Sequence, residues 1–435
     1  MAVDRVFRRA TDITAQQFGR AVLGYLALSV AIITLAPFDF RPDSPHGLSG
    51  EWTGKDLILN VVMFLPLGFI HELMQPAGRG GTRDRWRTLL RRALLLSGTI
   101  ELLQVWLPFR YPSLLDLGTN GAGALLGGWG YHALTRRVDE GRVIQLLALQ
   151  VPLMAIAYLL VPLTWLVGLG AEADPTRRWL LMPLAAIGAI VLTSVHGRFV
   201  RTPDQPHWGW LAIGLSAWSL VSMGPASRGE PRWLAAAVLT IGVSSTARLV
   251  SLRWVRRRRV GSDRIERPTL LVVLPLIGVY IVASALWPFL STPPGPRRWT
   301  WEWSLTPDAV PFTTPLVLIE LEQVAAFALL GYAVAEFGGR RARRFRHSLP
   351  WLLGVTGIGA ALVQLGRGWH PLLGASVSLF CCSVIAAIFG GWVYVLQRAH
   401  VQALIRRRDQ QVATPPGQSS DGFRISPRPE ARLPR

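Results

Sequence analysis

The chain contains apolar runs too long for the core of an ordinary globular domain. LLVVLPLIGVYIVASALWPFL, residues 270–290, holds no charged side chain from end to end. A run of about 20 such residues, coiled as a helix, spans the hydrocarbon core of a bilayer. The helix also satisfies its own backbone hydrogen bonds there, which an irregular chain cannot do. Comparable runs recur along the 435 residues, centred on 19–37, 56–74, 90–108, 114–134, 145–168, 179–196, 208–224, 233–250, 269–290, 315–335, 349–365 and 371–397. The pattern predicts an all-α polytopic membrane bundle of about 12 spans. Those at 208–224 and 233–250 are the weakest, being short and rich in Gly, Ser and Ala.

Charge decides the orientation. Charged residues make up only 17% of the chain and fall in clumps between the apolar runs, among them RGGTRDRWRTLLRR (79–92), RWVRRRR (253–259) and RRARRFR (340–346). With the N-terminus in the cytoplasm and sides alternating at each span, most of the 46 Lys and Arg fall inside, as the positive-inside rule requires. Both termini are then cytoplasmic and the protein is integral to the cell membrane. A net charge of +20 in a soluble protein would suggest nucleic acid. Here the basic residues lie in loops facing anionic lipid, so membrane lipid is the expected partner and nucleic acid is not. The basic N-terminal lead precedes an apolar run without a small-residue cleavage site, which reads as a retained helix. Cys381 and Cys382 are adjacent within an apolar run, and neither a disulfide framework nor a cysteine metal site is expected. No cofactor is indicated, and the oligomeric state is not legible.

An internal repeat organises the spans. NVVMFLPLGFIHEL (60–73) echoes QVAAFALLGYAVAE (323–336), and LLGGWGYHAL (125–134) echoes IFGGWVYVLQ (388–397) at the same offset of 263. Both copies start on the inside, so the repeat is parallel. The expected organisation is a four-helix unit at 1–140, a four-helix connector at 141–268, a second four-helix unit at 269–398 and a disordered cytoplasmic tail at 399–435.

Polar residues are threaded through the first unit at one depth. Asp56 and Asn60 open span two, four residues apart and therefore on one helix face. Ser97, Glu101 and Gln104 share a face of span three, with Glu101 about 10 Å from its outer end. Asp116 and Asn120 open span four, and Arg110 lies in the short turn between. Ionisable groups inside a bilayer cost about 2.5–3.5 kcal/mol each at mid-helix, so they face the bundle interior or a wet cavity. Two arrangements meet that demand. One is a structural network in which Arg110 pairs with Glu101 or Asp116. The other is a polar cleft open to the outer leaflet, favoured because the acids outnumber the nearby bases Arg110 and Lys55. Gly123 and Gly127, at GxxxG spacing, read as close helix packing. WTWEW (299–303), Trp106 and Trp287 read as an interfacial belt. His71 and His132 read as ordinary residues near the inner helix ends.

Taken together, D-x3-N-x3-F-x-P-x-G (Asp56, Asn60, Phe64, Pro66, Gly68), S-x3-E-x2-Q (Ser97, Glu101, Gln104), Arg110, and D-x3-N-x2-G-x3-G (Asp116, Asn120, Gly123, Gly127) resemble the VanZ-like membrane family over about residues 20–135. That family takes its name from a protein associated with resistance to the glycopeptide teicoplanin. The resemblance implies membrane location and an envelope-related role, without naming a reaction. The second copy departs from the pattern. Gln323 stands for Asn60, Gln364 and Arg367 echo Gln104 and Arg110, and Ala361, Leu379 and Ser383 replace Glu101, Asp116 and Asn120. Glu320 and Glu322 add acids off the family positions.

Three functions fit these features. The first is a cell-envelope factor whose cleft binds a lipid-linked precursor or another amphiphile through Asp56, Asn60, Ser97, Glu101, Gln104, Arg110, Asp116 and Asn120. The second is a transporter or flippase of such a precursor. The third is a membrane enzyme acting on a polyprenyl phosphate, for which the sequence offers acids but no HExxH, P-loop or activated nucleophile.

Overall fold

The computed structural model describes residues 2–41, 54–75, 82–108, 110, 112–137, 153–171, 174–199, 214–219, 266–291, 299–303, 313–339, 345–370 and 373–413. Ten long helices carry most of the described residues: α1 (Ala2–Leu35), α2 (Gly54–Leu73), α3 (Thr82–Gln104), α4 (Leu114–Arg137), α5 (Leu153–Gly170), α6 (Leu181–Phe199), α7 (Glu266–Ser291), α8 (Thr314–Gly338), α9 (Phe345–Arg367) and α10 (Val377–Ala413). A short 3-10 helix, Pro175–Leu180, leads into α6. The two strands β1 (Trp301–Glu302) and β2 (Ala375–Ser376) form one parallel bridge.

Among the described residues, eight segments are long and apolar enough to cross a bilayer: 13–35, 56–73, 153–170, 175–195, 267–289, 314–338, 348–367 and 377–403. Of the twelve expected spans, those at 208–224 and 233–250 lie outside the described residues apart from the short helical stretch 214–219. The other two, at 90–108 and 114–134, are the helices α3 and α4, but neither is among the eight. The reason is visible in their composition. α3 opens with arginines and closes with Glu101 and Gln104, and α4 dilutes its apolar side chains with Gly, Asp116 and Asn120. Both expose large apolar side chains, Leu95 and Leu102 on α3 and Leu126 and Trp129 on α4.

Two elements extend beyond their expected limits. The basic segment 79–92 is not simply a loop, because α3 begins at Thr82 and carries Arg83, Arg87, Arg91 and Arg92 as exposed residues of its first turns. Arginine is a good helix former, so a basic segment can extend an apolar helix into the interface. At the other end of the chain, α10 runs on to Ala413, past the start of the expected tail.

Glycines set the closest helix contacts. Gly123 lies against the carbonyl of Val61, Gly127 against that of Leu65 and Gly68 against that of Ala124, with no room for a β carbon at any of the three. The GxxxG spacing therefore serves close packing, and the partner order, 61 with 123 and 65 with 127, makes α2 and α4 parallel. α8 and α10 meet in the same manner, Gly331 against Ala387 and Gly390 against Ala328. Without a hydrophobic driving force between helices in lipid, such close approach, with its dispersion and backbone contacts, is what holds them together.

α5 is buried along almost its whole length, which accounts for a helix that is apolar on every side. It packs against α8, and α1 packs against α10. Thr14 Oγ1 meets His400 Nδ1 at 3.1 Å and Tyr25 stacks on Phe389 at 5.7 Å, so α1 and α10 run antiparallel. The end of α1 and the start of α10 thus share one end of the bundle.

Candidate functional site

That end of the bundle is where the polar residues of α2, α3 and α4 collect. Its frame begins with the last carbonyls of α1, which lack partners within their own helix. Gln104 Nε2 donates to the Thr34 carbonyl at 3.1 Å, and the Arg110 guanidinium reaches the Ile33 carbonyl at 3.4 Å. The cation suits the negative end of the α1 dipole. Beyond the helices, the Arg41 N–H donates to the Trp106 carbonyl at 2.7 Å, tying the exits of α1 and α3 together.

The start of α4 is held just as closely. Ser113 caps it, the hydroxyl accepting from the Leu115 N–H at 3.2 Å. The Ser113 N–H donates in turn to Glu101 Oε2 at 2.7 Å. Deeper in, Asn120 Nδ2 donates to the fully buried Ser97 hydroxyl at 2.8 Å. The Asn120 carbonyl oxygen is also buried, and finds no hydrogen-bond partner among the described residues.

Because α2 and α4 are parallel, their N-termini stand side by side, each with an aspartate in its first turn, Asp56 and Asp116. The two positive helix ends favour that placement. The Asn60 side chain hydrogen-bonds Asp116, while Asp56 lies near enough to repel it. Glu101 also feels the Asp116 charge. Burial increases inward: Asp56 is exposed, Asn60, Glu101, Arg110 and Asp116 are half-buried, and Ser97, Gln104 and Asn120 are buried. The Lys55 side chain lies outside the described residues.

The eight residues singled out from the sequence therefore lie toward one end of the bundle, but they do different work. Ser97, Gln104 and Glu101 spend hydrogen-bonding groups on fixing helices to one another. Asp56, Asn60 and Asp116 lie on the first turns of α2 and α4. Among the described residues no group of three His, Cys, Asp or Glu side chains is arranged to hold a metal ion.

The sequence reading missed Glu72, at the opposite end of α2. It is buried, with Oε1 3.4 Å from His71 Nδ1 and Oε2 3.1 Å from His132 Nε2. The two histidines are thus partners of one acid, and the only clue in the sequence was the pairing of His71 with its neighbour. Glu320 and Glu322 are buried beside Arg367 and Arg177. WTWEW supplies β1, with Trp301 and Trp303 exposed as an interfacial belt would have them.

Comparison with known proteins matches residues 8–135 to the family described as VanZ/LLP1. No curated protein and no solved structure matches the chain. The matched segment takes in α2, α3 and nearly all of α1 and α4, with all eight polar residues named above. This chain therefore carries a VanZ/LLP1 family domain over residues 8–135, followed by further helices long and apolar enough to cross a membrane.

Proposed function

We propose that this polytopic membrane protein is a cell-envelope factor whose polar mouth, at the outer leaflet, binds the head of a lipid-linked precursor or a similar amphiphile. The observation that carries the reading is the placement of Asp56 and Asp116 in the first turns of two parallel helices whose N-termini stand side by side. Carboxylates gathered there suit a ligand head rich in N–H, O–H or ammonium donors, and Arg110, against the last carbonyls of α1, supplies a cation at the same end of the bundle for a phosphate or carboxylate. Both termini lie in the cytoplasm in this reading, and the family resemblance connects the role to glycopeptide resistance.

The second half, α7–α10, is in this reading a diverged copy of α1–α4. The glycine seams support it: Gly68 with Ala124 and Gly127 with Leu65 correspond, at the repeat offset, to Gly331 with Ala387 and Gly390 with Ala328. So does the tie at the start of the last helix of each set, where the Ser376 N–H donates to Gln364 Oε1 at 2.9 Å as the Ser113 N–H does to Glu101. That register, at the offset of 263, sets Gln364 opposite Glu101 and not, as the sequence alignment had it, opposite Gln104.

The test is the lipid that the protein retains. Full-length protein and the Asp56→Asn/Asp116→Asn double variant are purified in mild detergent, and bound lipids are identified by mass spectrometry. The wild type is expected to hold a donor-rich amphiphile that the variant loses, and cells expressing the wild type alone are expected to show altered teicoplanin susceptibility. An identical lipid complement in both proteins refutes the proposal. Impermeant thiol labelling of Asp56→Cys in intact cells, with Cys381 and Cys382 replaced by Ser, tests the side: labelling only after lysis places the mouth in the cytoplasm.

A further inference from the structure

A second polar constellation lies between the 3-10 helix, α7, α8 and α9, outside the VanZ/LLP1 segment. Two arginines are buried there, Arg177 at 3% exposure and Arg367 at 4%. Each is oriented by an acid from α8. Arg177 donates to Glu322 Oε2 at 2.7 Å, and the other oxygen of Glu322 accepts from the Tyr280 hydroxyl at 2.7 Å. Arg367 donates to Glu320 Oε1 at 2.6 Å. A guanidinium has five N–H donors, and one carboxylate does not use them all. The Nε donors of both arginines are buried and find no hydrogen-bond partner among the described residues.

Both arginines line one narrow cleft whose enclosed part is about 20 Å³, room for a single ligand oxygen or water, and which opens into a wider mouth. Ser284 and Gln323 also line it, and Ile281, Pro288 and Val363 contribute to an otherwise apolar wall. Gln323 is itself tethered, its amide N–H donating to the Ser383 hydroxyl at 3.1 Å. Arg177 lies at the start of one apolar segment and Arg367 at the end of another, a depth at which lipid head groups meet protein.

We propose that this cleft is an oxyanion site, taking a singly charged phosphodiester or carboxylate between Arg177 and Arg367. The spare buried Nε groups of its two cations are donors and call for acceptors, while the spare Oε2 of Glu320 calls for one hydroxyl or water donor beside them. Guanidinium groups bind such oxygens at paired N–H positions that a lysine cannot reproduce. The two glutamates formally balance the two arginines, which favours a monoanion over a doubly charged phosphate. The apolar wall suits an anionic lipid head, but a free oxyanion offers the same oxygens. The inference is independent of the mouth formed by α2, α3 and α4.

The experiment titrates purified full-length protein in detergent with three probes, reading its thermal melting. They are short-chain phosphatidylglycerol, inorganic phosphate, and an uncharged glycerolipid of equal chain length. Phosphatidylglycerol, phosphate or both are expected to stabilise the protein saturably, and the uncharged lipid is not. Response to phosphatidylglycerol alone identifies a lipid head group, whereas response to both identifies a site reachable from water. Arg367→Ala alone strands a buried acid, so the variant used is Glu320→Leu with Arg367→Met, which removes the pair together and preserves packing. It is expected to elute as wild type and to weaken the response at least ten-fold. No saturable response to either anion, or an unchanged response in the double variant, overturns the proposal.

Discussion

Gly127 of α4 rests against the carbonyl of Leu65 in α2 so closely that a methyl group at Gly127 would overlap backbone. The parallel pairing of these helices, and with it the meeting of Asp56 and Asp116, depends on that approach. Gly127→Ala is expected to destabilise the protein by about 1–3 kcal/mol, the usual cost of overpacking. Gly118→Ala on the same helix meets open space and is expected to be neutral. Thermal melting of the two variants in one detergent checks the contrast, and equal losses would mean that the seam is not a close contact.

Glu101 serves two roles that separate on substitution. As the acceptor for the Ser113 N–H it anchors the start of α4, and as a charge it belongs to the acidic mouth. Glu101→Ala removes both and is expected to cost about 1–2 kcal/mol, as losing a helix cap does. Glu101→Gln keeps an acceptor and is expected to retain more than half of that stability while losing the function of the mouth. Melting curves paired with lipid retention distinguish the two, and a Gln variant as unstable as the Ala variant would show that the charge itself anchors the helix.

The Ser97–Asn120 hydrogen bond crosses from α3 to α4 in a buried setting. Ser97→Ala leaves the amide without that acceptor, and Asn120→Leu removes the donor altogether. A double-mutant cycle is expected to give a coupling of about 0.6–1.7 kcal/mol, the range for interhelical hydrogen bonds in membranes. A coupling indistinguishable from zero would remove this pair from the forces that hold α3 on α4.

The polar cluster was legible as short-spaced motifs. Asp56 with Asn60 and Asp116 with Asn120 follow helical spacing, while Arg110, in the turn between α3 and α4, meets the last carbonyls of α1. What spacing did not reveal was the division of labour, in which Gln104 turns to the α1 carbonyls and Glu101 to a backbone N–H. The runs at 90–108 and 114–134 fold as helices but are not among the eight candidate spans, because polar residues such as Ser97 and Asn120, bonded to each other, lower their hydropathy. The second constellation was legible only as stray acids. Arg177 and Glu322 stand on helices far apart in the chain, and no local pattern joins them.

Asp174 caps the 3-10 helix before α6. Its Oδ1 accepts from the Thr176 N–H at 3.0 Å, and its Oδ2 accepts from the Trp287 indole at 3.0 Å. Partial burial pushes its carboxyl up, but the hydrogen bonds from Thr176 and Trp287 and the nearby Arg177 charge outweigh that and hold it below the usual range. A folded value below the unfolded one means that the carboxylate stabilises at neutral pH. The contribution is lost as the pH falls from about 3.9 through the lowered folded value. Asp174→Ala is expected to cost about 1 kcal/mol at pH 7, with the gap from wild type narrowing below about pH 4. Melting at both pH values checks it, and a gap that stays constant would exclude the carboxylate as its source.

Arg177 and Glu322 test whether the second constellation is worth its charges. Both are buried, and Glu322 is also held by the Tyr280 hydroxyl. Glu322→Leu alone leaves a buried guanidinium without its counter-ion, which costs about 3–5 kcal/mol in comparable cases. Adding Arg177→Met removes the stranded charge, and the pair of substitutions is expected to recover most of that loss, because the desolvation of both ions offsets much of their attraction. If the double variant regains stability, the pair is kept for something other than folding, as an oxyanion site requires. If it stays as unstable as Glu322→Leu, the ion pair is itself a source of stability, and its burial needs no ligand to explain it.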